Sequence, residues 1–91
     1  MRNQLLTARA AALFASDLPA GTPFTTPEVD RAIASAVRRC GGTRGCVAAL
    51  AAAYGDRPET AVPRMRWALA AVRLAYDARR PEPERDMALA A

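Results

Sequence analysis

Apolar residues recur at helical spacing in four segments of the chain, and glycine or proline separates these segments. The clearest stripe follows the sequence TTPEV, where the apolar positions are Val29, Ile33, Ala36, Val37 and Cys40. Thr25 and Glu28 have the spacing of a capping box at the start of this stripe. The pattern predicts a helix over 26–40 that packs one face on the core.

The other segments predict three more helices and no strand. Their expected bounds are about 3–16, 43–54 and 60–79. The first is expected to be amphipathic, with Leu6, Ala10 and Leu13 along one side. The sequence therefore predicts an all-α fold, with one four-helix domain over residues 1–80, a long C-terminal helix and a flexible tail over 81–91.

A glycine predicts the end of the third helix, and apolar spacing predicts which of its residues face the core. Gly55 is the expected stop, since glycine commonly follows the last helical residue. The positions predicted to face the core are Val47, Leu50, Ala51 and Tyr54.

Pro63 determines where the fourth helix is expected to start. A helix beginning at Pro58 would place Pro63 in its second turn, where the lost hydrogen bond costs about 3 kcal/mol. With Thr60 as the N-cap, Pro63 lies in the first turn and costs little. We therefore predict that the helix begins at Thr60.

Two apolar faces follow the predicted fourth helix. The core stripe comprises Ala61, Met65, Ala68, Leu69, Val72 and Tyr76. The second face contains Trp67 and Leu74, which would form an exposed apolar patch unless the first helix or a partner covers them. Together with the first helix, this face predicts a homodimer whose interface residues are Trp67, Leu74, Leu6 and Leu13.

Charge is concentrated in the helical middle of the chain. Residues 31–80 hold ten arginines against three carboxylates, a net charge of +7, whereas the two flanking regions are slightly acidic. A basic region of this kind is typical of a nucleic-acid binder, although acidic protein surfaces and RNA also attract it. All 13 basic residues are arginine, which together with the alanine, glycine and proline content indicates a GC-rich genome. A bacterial source is also expected.

Several chemistries have no support in the sequence. The chain has no histidine, no glycine-rich phosphate loop and no nucleophile beside a base, so we predict neither an enzyme nor a cofactor nor a small-molecule substrate. Cys40 and Cys46 are too few for a zinc site and are expected to be reduced and buried in a cytoplasmic protein. A redox pair, or a metal shared across a dimer, is the alternative. Arg9 interrupts the first apolar run, which argues against a membrane span.

Residues 41–69 resemble helix-turn-helix segments. GGTRGCVAALAAAYG is similar to the first helix of Fis-type motifs, and YGDRPETAVPRMRWAL is similar to the turn and second helix of sigma-factor region-four and response-regulator motifs. In that pattern a glycine closes the first helix and small or apolar residues hold the two helices together, here Gly55, Ala61 and Met65. The resemblance implies a DNA-binding transcriptional regulator.

The resemblance also implies which residues contact nucleic acid. Bases would be approached by Thr60, Arg64 and Trp67, and phosphates by Arg57, Arg66 and Arg73, with Arg44 as a further contact. The alternative is a helical adaptor that binds an acidic or apolar protein surface through the same Trp/Arg face, because tryptophan and arginine are common in protein interfaces.

Overall fold

Four α-helices make up most of the domain. α1 spans Arg2–Ala15, α2 spans Thr26–Cys40, α3 spans Thr43–Asp56 and α4 spans Pro58–Arg79. The computed structural model describes residues 2–79, and within them there is no β-strand. The predicted all-α four-helix domain with a long C-terminal helix is confirmed. The predicted flexible tail over 81–91 lies outside the described residues.

Both ends of α2 carry the predicted signals. Thr25 is the N-cap: its hydroxyl accepts a hydrogen bond from the Glu28 amide at 3.3 Å, and the Glu28 carboxylate accepts one from the Thr25 amide at 2.6 Å. Gly41 follows the last helical residue with a φ of 77°, a left-handed conformation that glycine adopts without strain. The predicted bounds of this helix are confirmed.

The junction between α3 and α4 differs from the prediction. Gly55 lies within α3 without a positive φ, so the expected glycine cap is wrong. Arg57 is the C-cap instead, with φ −144° and ψ 69°, and its amide donates to the Ala53 carbonyl at 2.8 Å. The physical reason is Pro58, because a residue that precedes proline is disfavoured from helical backbone conformations.

α4 begins at Pro58, two residues earlier than predicted. Proline suits the first helical position, since its fixed φ matches the helix and its missing amide hydrogen has no acceptor there. Thr60 is therefore not the N-cap, and its hydroxyl donates to the Arg57 carbonyl at 3.2 Å. Pro63 lies inside the helix and leaves the Glu59 carbonyl without its helical donor. Both residues are exposed, so water can bind this carbonyl.

α1 is the central helix of the domain. Four consecutive residues, Ala10, Ala11, Ala12 and Leu13, are at most 1% exposed. Consecutive positions point around the whole circumference of a helix, so this part of α1 is covered on every side. The other three helices all pack against it, and the alanines allow them to approach closely. Leu6, Ala10 and Leu13 face the core as predicted, but from Ala10 to Leu13 the helix is buried on all sides and not along one face.

The core stripes predicted for α2 and α4 are confirmed. Val29 and Ala36 of α2 are fully buried, and Ile33 packs beside them. The buried residues of the α4 stripe are Ala61, Met65, Ala68 and Val72, with Leu69 and Tyr76 partly buried against the same core.

α3 packs through a different face from the predicted one. Cys46 is fully buried and Leu50 packs on the core, whereas Val47 is 44% exposed and Tyr54 is 41% exposed. Ala51 is exposed as well. The inward positions predicted at Val47, Ala51 and Tyr54 are therefore wrong. Alanine dominates this helix, so its apolar periodicity carries little information about which side faces the core.

Candidate nucleic-acid interface

The C-terminal end of α1 is capped by the side chain of Arg64, which comes from α4. Its Nε donates to the Phe14 carbonyl at 2.8 Å, and its Nη2 donates to the carbonyls of Ser16 at 2.9 Å and Leu18 at 3.0 Å. A longer contact of 3.4 Å reaches the Leu13 carbonyl. The last carbonyls of a helix have no donor within that helix, and Arg64 supplies donors to two of them.

A second arginine contributes to the same cap. Arg39 of α2 donates to the Ala15 carbonyl at 3.4 Å, and its guanidinium lies 3.9 Å from the Asp17 carboxylate. The Ser16 hydroxyl adds a hydrogen bond of 2.6 Å to the Leu13 carbonyl. Side chains from α2 and α4 therefore hold the end of α1 and the first residues of the following loop.

The Arg64 guanidinium also lies over two aromatic rings. Its central carbon is 4.9 Å from the ring centroid of Trp67 and 5.8 Å from that of Phe14. Burial lowers the pKa of Arg64 from its ordinary value, and the Asp17 carboxylate opposes this shift. The side chain remains a cation at physiological pH, because arginine does not lose its proton in proteins.

Arg64 and Trp67 are both part of the packing between α4 and the rest of the fold. Trp67 is partly buried against the main core, beside the stacked guanidinium. Contact of Arg64 with a base, as the helix-turn-helix resemblance implies, would require its bonds to the α1 carbonyls to break. The structure therefore packs two of the three predicted base-contacting residues, Arg64 and Trp67, against the rest of the fold, while Thr60 is exposed.

The other predicted basic residues lie at the surface. Arg44, Arg57, Arg66 and Arg73 are all exposed. In the part of the chain that the structure describes, none of these four forms an ion pair with a carboxylate. All four guanidinium groups lie at the surface, where an external anion can reach them.

These four arginines lie on α3, on α4 and at the junction between the two helices. Arg66 and Arg73 are seven residues apart in α4, so they share one face and lie about 10 Å apart along the axis. Arg44 and Arg57 stand at opposite ends of α3, about 20 Å apart by the same rise per residue. Thr60 is also exposed, at the start of α4. The fold brings Arg66 and Arg73 together and separates Arg44 from Arg57.

The four residues predicted for a dimer interface have different surroundings. Leu74 is 65% exposed on α4, and it is the most exposed large apolar residue in the described part of the chain. Leu6 and Trp67 are partly buried against the core. Leu13 is fully buried, so it cannot contact a second molecule while the domain is folded.

Two contacts of Tyr76 link three helices and have no signal in the sequence. The Arg9 guanidinium of α1 lies 3.9 Å from the ring centroid of Tyr76 in α4. The Tyr76 hydroxyl donates to the Asp30 carboxylate of α2 at 2.5 Å. These residues are far apart along the chain, and no local spacing connects them.

An apolar surface between α1 and α3 was also not predicted. Val47 of α3 is 44% exposed at this surface. A shallow groove of about 310 Å³ is lined by Gln4, Thr7, Ala8 and Val47. Because the sequence pattern predicts that Val47 faces the core, it does not predict this surface.

Cys40 and Cys46 are both free thiols, and Cys46 is buried while Cys40 is partly exposed. Among residues 2–79, no group of three or more histidine, cysteine, aspartate or glutamate side chains is arranged to hold a metal ion. The burial expected for both cysteines applies fully to Cys46 and only in part to Cys40.

No protein family, curated protein or solved structure matches this chain. Of the four described helices, none combines the length and the apolar character needed to cross a membrane. Function is therefore inferred from the exposed charges and from the contacts described above.

Proposed function

We propose that this domain binds DNA through its exposed arginines and acts as a small transcriptional regulator. The observation that carries the proposal is the exposure of Arg44, Arg57, Arg66 and Arg73 with no carboxylate partner among the described residues. Guanidinium groups match the geometry of phosphate oxygens and bind them in a bidentate manner. The net charge of +7 over residues 31–80 supports attraction to the DNA backbone.

In this proposal the arginines of α4 have two different roles. Arg66 and Arg73 contact phosphates from the exposed face of the helix. Arg64 keeps α4 in position against α1 and makes no base contact. Arg57 and Thr60 stand at the N-terminal end of α4, where the helix dipole favours a phosphate and the Glu59 carboxylate in the first turn opposes it.

Fluorescence anisotropy of a labelled DNA duplex at several salt concentrations tests the proposal. Affinity should fall as salt rises, with a slope of about −0.9 in log K against log salt for each phosphate contact. Arg66→Ala and Arg73→Ala should each weaken binding and reduce the magnitude of this slope by about 1.

Arg31→Ala is the matched control for the loss of one positive charge. Arg31 is exposed on α2 and has no assigned contact with DNA, so its replacement should leave the slope unchanged. Absence of binding at low salt contradicts the proposal. An equal effect of Arg31→Ala, Arg66→Ala and Arg73→Ala contradicts the assigned surface and leaves only a general effect of charge.

A protein partner is the second candidate, and the exposure of Leu74 favours it. Leu74 and Ala70 lie on the outer side of α4 together with Arg66 and Arg73. An apolar side chain next to arginines is typical of protein interfaces. Purification of the protein with and without nuclease separates the two candidates, because a partner held through DNA is lost after nuclease treatment and a directly bound protein is retained.

The exposure of Leu74 supports one kind of protein partner most directly, namely a second copy of the same chain. A second copy of the chain would bury Leu74 against the same residue of its partner if the two molecules were related by a twofold axis. Arg44 and Arg57 lie outside α4 and would remain exposed in such a dimer, whereas Arg66 and Arg73 share the side of α4 that carries Leu74 and would lie at or beside the interface.

A further inference from the structure

Cys40 and Cys46 lie on either side of the turn that joins α2 to α3. Cys40 is the last residue of α2, and Cys46 lies in the first turn of α3. Gly41 and Gly42 stand between the helices with φ values of 77° and 125°. These left-handed conformations allow a very short connection, which brings the end of α2 and the start of α3 together.

Contacts around Gly45 show how closely the two helices approach. A β-carbon at Gly45 would lie 1.9 Å from the carbonyl oxygen of Cys40 and 3.1 Å from its Cβ. The Sγ of the next residue, Cys46, lies 3.5 Å from the carbonyl of Ala36, one turn before Cys40 in α2. Cys40 packs against the small buried cluster that contains Cys46 and Ala36. The two cysteine side chains are therefore neighbours in the folded protein.

The two thiols differ in their access to solvent. Cys46 is fully buried, and Cys40 is partly exposed at the end of α2. Burial, and secondarily the neighbouring Cys40, raise the pKa of Cys46 to about 11, and the Arg39 guanidinium acts in the opposite direction. Cys40 is consequently the thiol that an external reagent meets first.

We propose that Cys40 and Cys46 form a reversible intramolecular disulfide by exchange with a low-molecular-weight disulfide such as oxidised glutathione. In the first step, the Cys40 thiolate attacks one sulfur of glutathione disulfide, a mixed disulfide forms and one glutathione thiol leaves. The Cys46 thiolate then attacks the Cys40 sulfur of the mixed disulfide and releases the second glutathione. The protein loses two hydrogen atoms, and the small disulfide is reduced to two thiols.

Incubation of the folded protein with oxidised glutathione, followed by intact-mass spectrometry under non-reducing conditions, tests this assignment. The wild-type protein should lose the mass of two hydrogens, retain no glutathione and regain its thiols on reduction. Cys46→Ala should accumulate one glutathione on Cys40, because no resolving thiol is present. Cys40→Ala should remain unmodified, because its remaining thiol is buried. Circular dichroism confirms that each variant is folded.

Three outcomes overturn the proposal. They are a wild-type protein that retains glutathione, a product that consists mainly of disulfide-linked dimers, and a Cys40→Ala variant that reacts as readily as Cys46→Ala. Each would show that the two thiols do not act as an intramolecular pair with Cys40 as the entry point.

A second measurement uses only the wild-type protein and does not depend on the folding of a variant. The equilibrium constant for disulfide formation against glutathione should be at least about tenfold larger in the native protein than in urea, because the fold holds the thiols together. Equal constants in the two conditions overturn the proposal.

Discussion

Arg64 caps the C-terminal end of α1, as Gly41 caps the C-terminal end of α2. The end of α2 closes locally, through a left-handed glycine whose amide donates back to the helix. α1 has no glycine at this point, and its terminal carbonyls accept from a side chain of another helix. A guanidinium carries five donors in a rigid fork, so one arginine can serve several carbonyls at once.

Replacement of Arg64 by alanine should lower the free energy of unfolding by about 2–3 kcal/mol, because charge-assisted hydrogen bonds are lost and carbonyls at the end of α1 lose their donors. Arg66→Ala removes the same charge from the exposed face of α4 and should change this free energy by less than about 0.5 kcal/mol. Urea unfolding followed by circular dichroism measures both variants. Similar values for the two would show that the cap contributes little.

The role of Arg64 could not be predicted from the sequence. Its acceptors lie between 46 and 51 residues away along the chain, so no local pattern connects them. Helical spacing does place Arg64 and Trp67 on neighbouring positions of α4. This spacing does not show that α1 covers the two side chains. An arginine beside a tryptophan that was expected to face outward therefore indicated a binding surface.

At the level of the helices, the sequence determines α2 far better than α3. α2 begins with a capping box, ends at a glycine pair and has one strong apolar stripe, and each of these signals agrees with the structure. α3 is rich in alanine, so its inward face depends on the neighbouring helices. For α4, two prolines favoured different starting points, and the structure follows Pro58 at the first position despite the hydrogen bond that Pro63 removes.

Two glycines of α3 provide a test of its packing against α2. Gly45→Ala should lower the free energy of unfolding by about 2–3 kcal/mol, since the new Cβ would collide with the backbone of Cys40. Gly55→Ala should raise it by about 0.5–1 kcal/mol, because the site has open space and a helical backbone that alanine favours. Thermal or urea unfolding of both variants gives the values.

The important result is that the two substitutions change the free energy of unfolding in opposite directions. A stabilising Gly45→Ala would contradict the close approach of α3 to the end of α2. A destabilising Gly55→Ala would contradict the continuous helix through Gly55 and would instead support a glycine cap at this position.

For the whole molecule, the fold divides the arginines into those that contact other parts of the domain and those for which no such contact is seen among the described residues. Arg9, Arg39 and Arg64 contact other parts of the domain, through an aromatic ring or through backbone carbonyls. Arg44 and Arg73 lie among those that extend into solvent. The sequence could not predict which arginine belongs to which group, because all of these side chains are chemically identical. Only the packing of the four helices distinguishes them.

The homodimer is a prediction about the assembly, and Leu74 is the residue that tests it. Light scattering over a range of protein concentrations should show a dimer for the wild-type protein and a monomer for Leu74→Ser. Leu5→Ser removes another exposed leucine, which lies on α1 rather than on α4, and should leave the dimer intact. A wild-type protein that is monomeric at every concentration contradicts the prediction.

The central position of α1 also has a consequence for synthesis. α1 leaves the ribosome before the three helices that cover it, so Leu13 and the neighbouring alanines have no complete core to enter until α4 has been made. The donors that Arg64 supplies to its C-terminal end arrive equally late, because Arg64 follows Leu13 by 51 residues. A nascent chain that ends before Arg64 should therefore expose apolar surface of the kind that chaperones bind, and the native domain forms only after α4 has emerged.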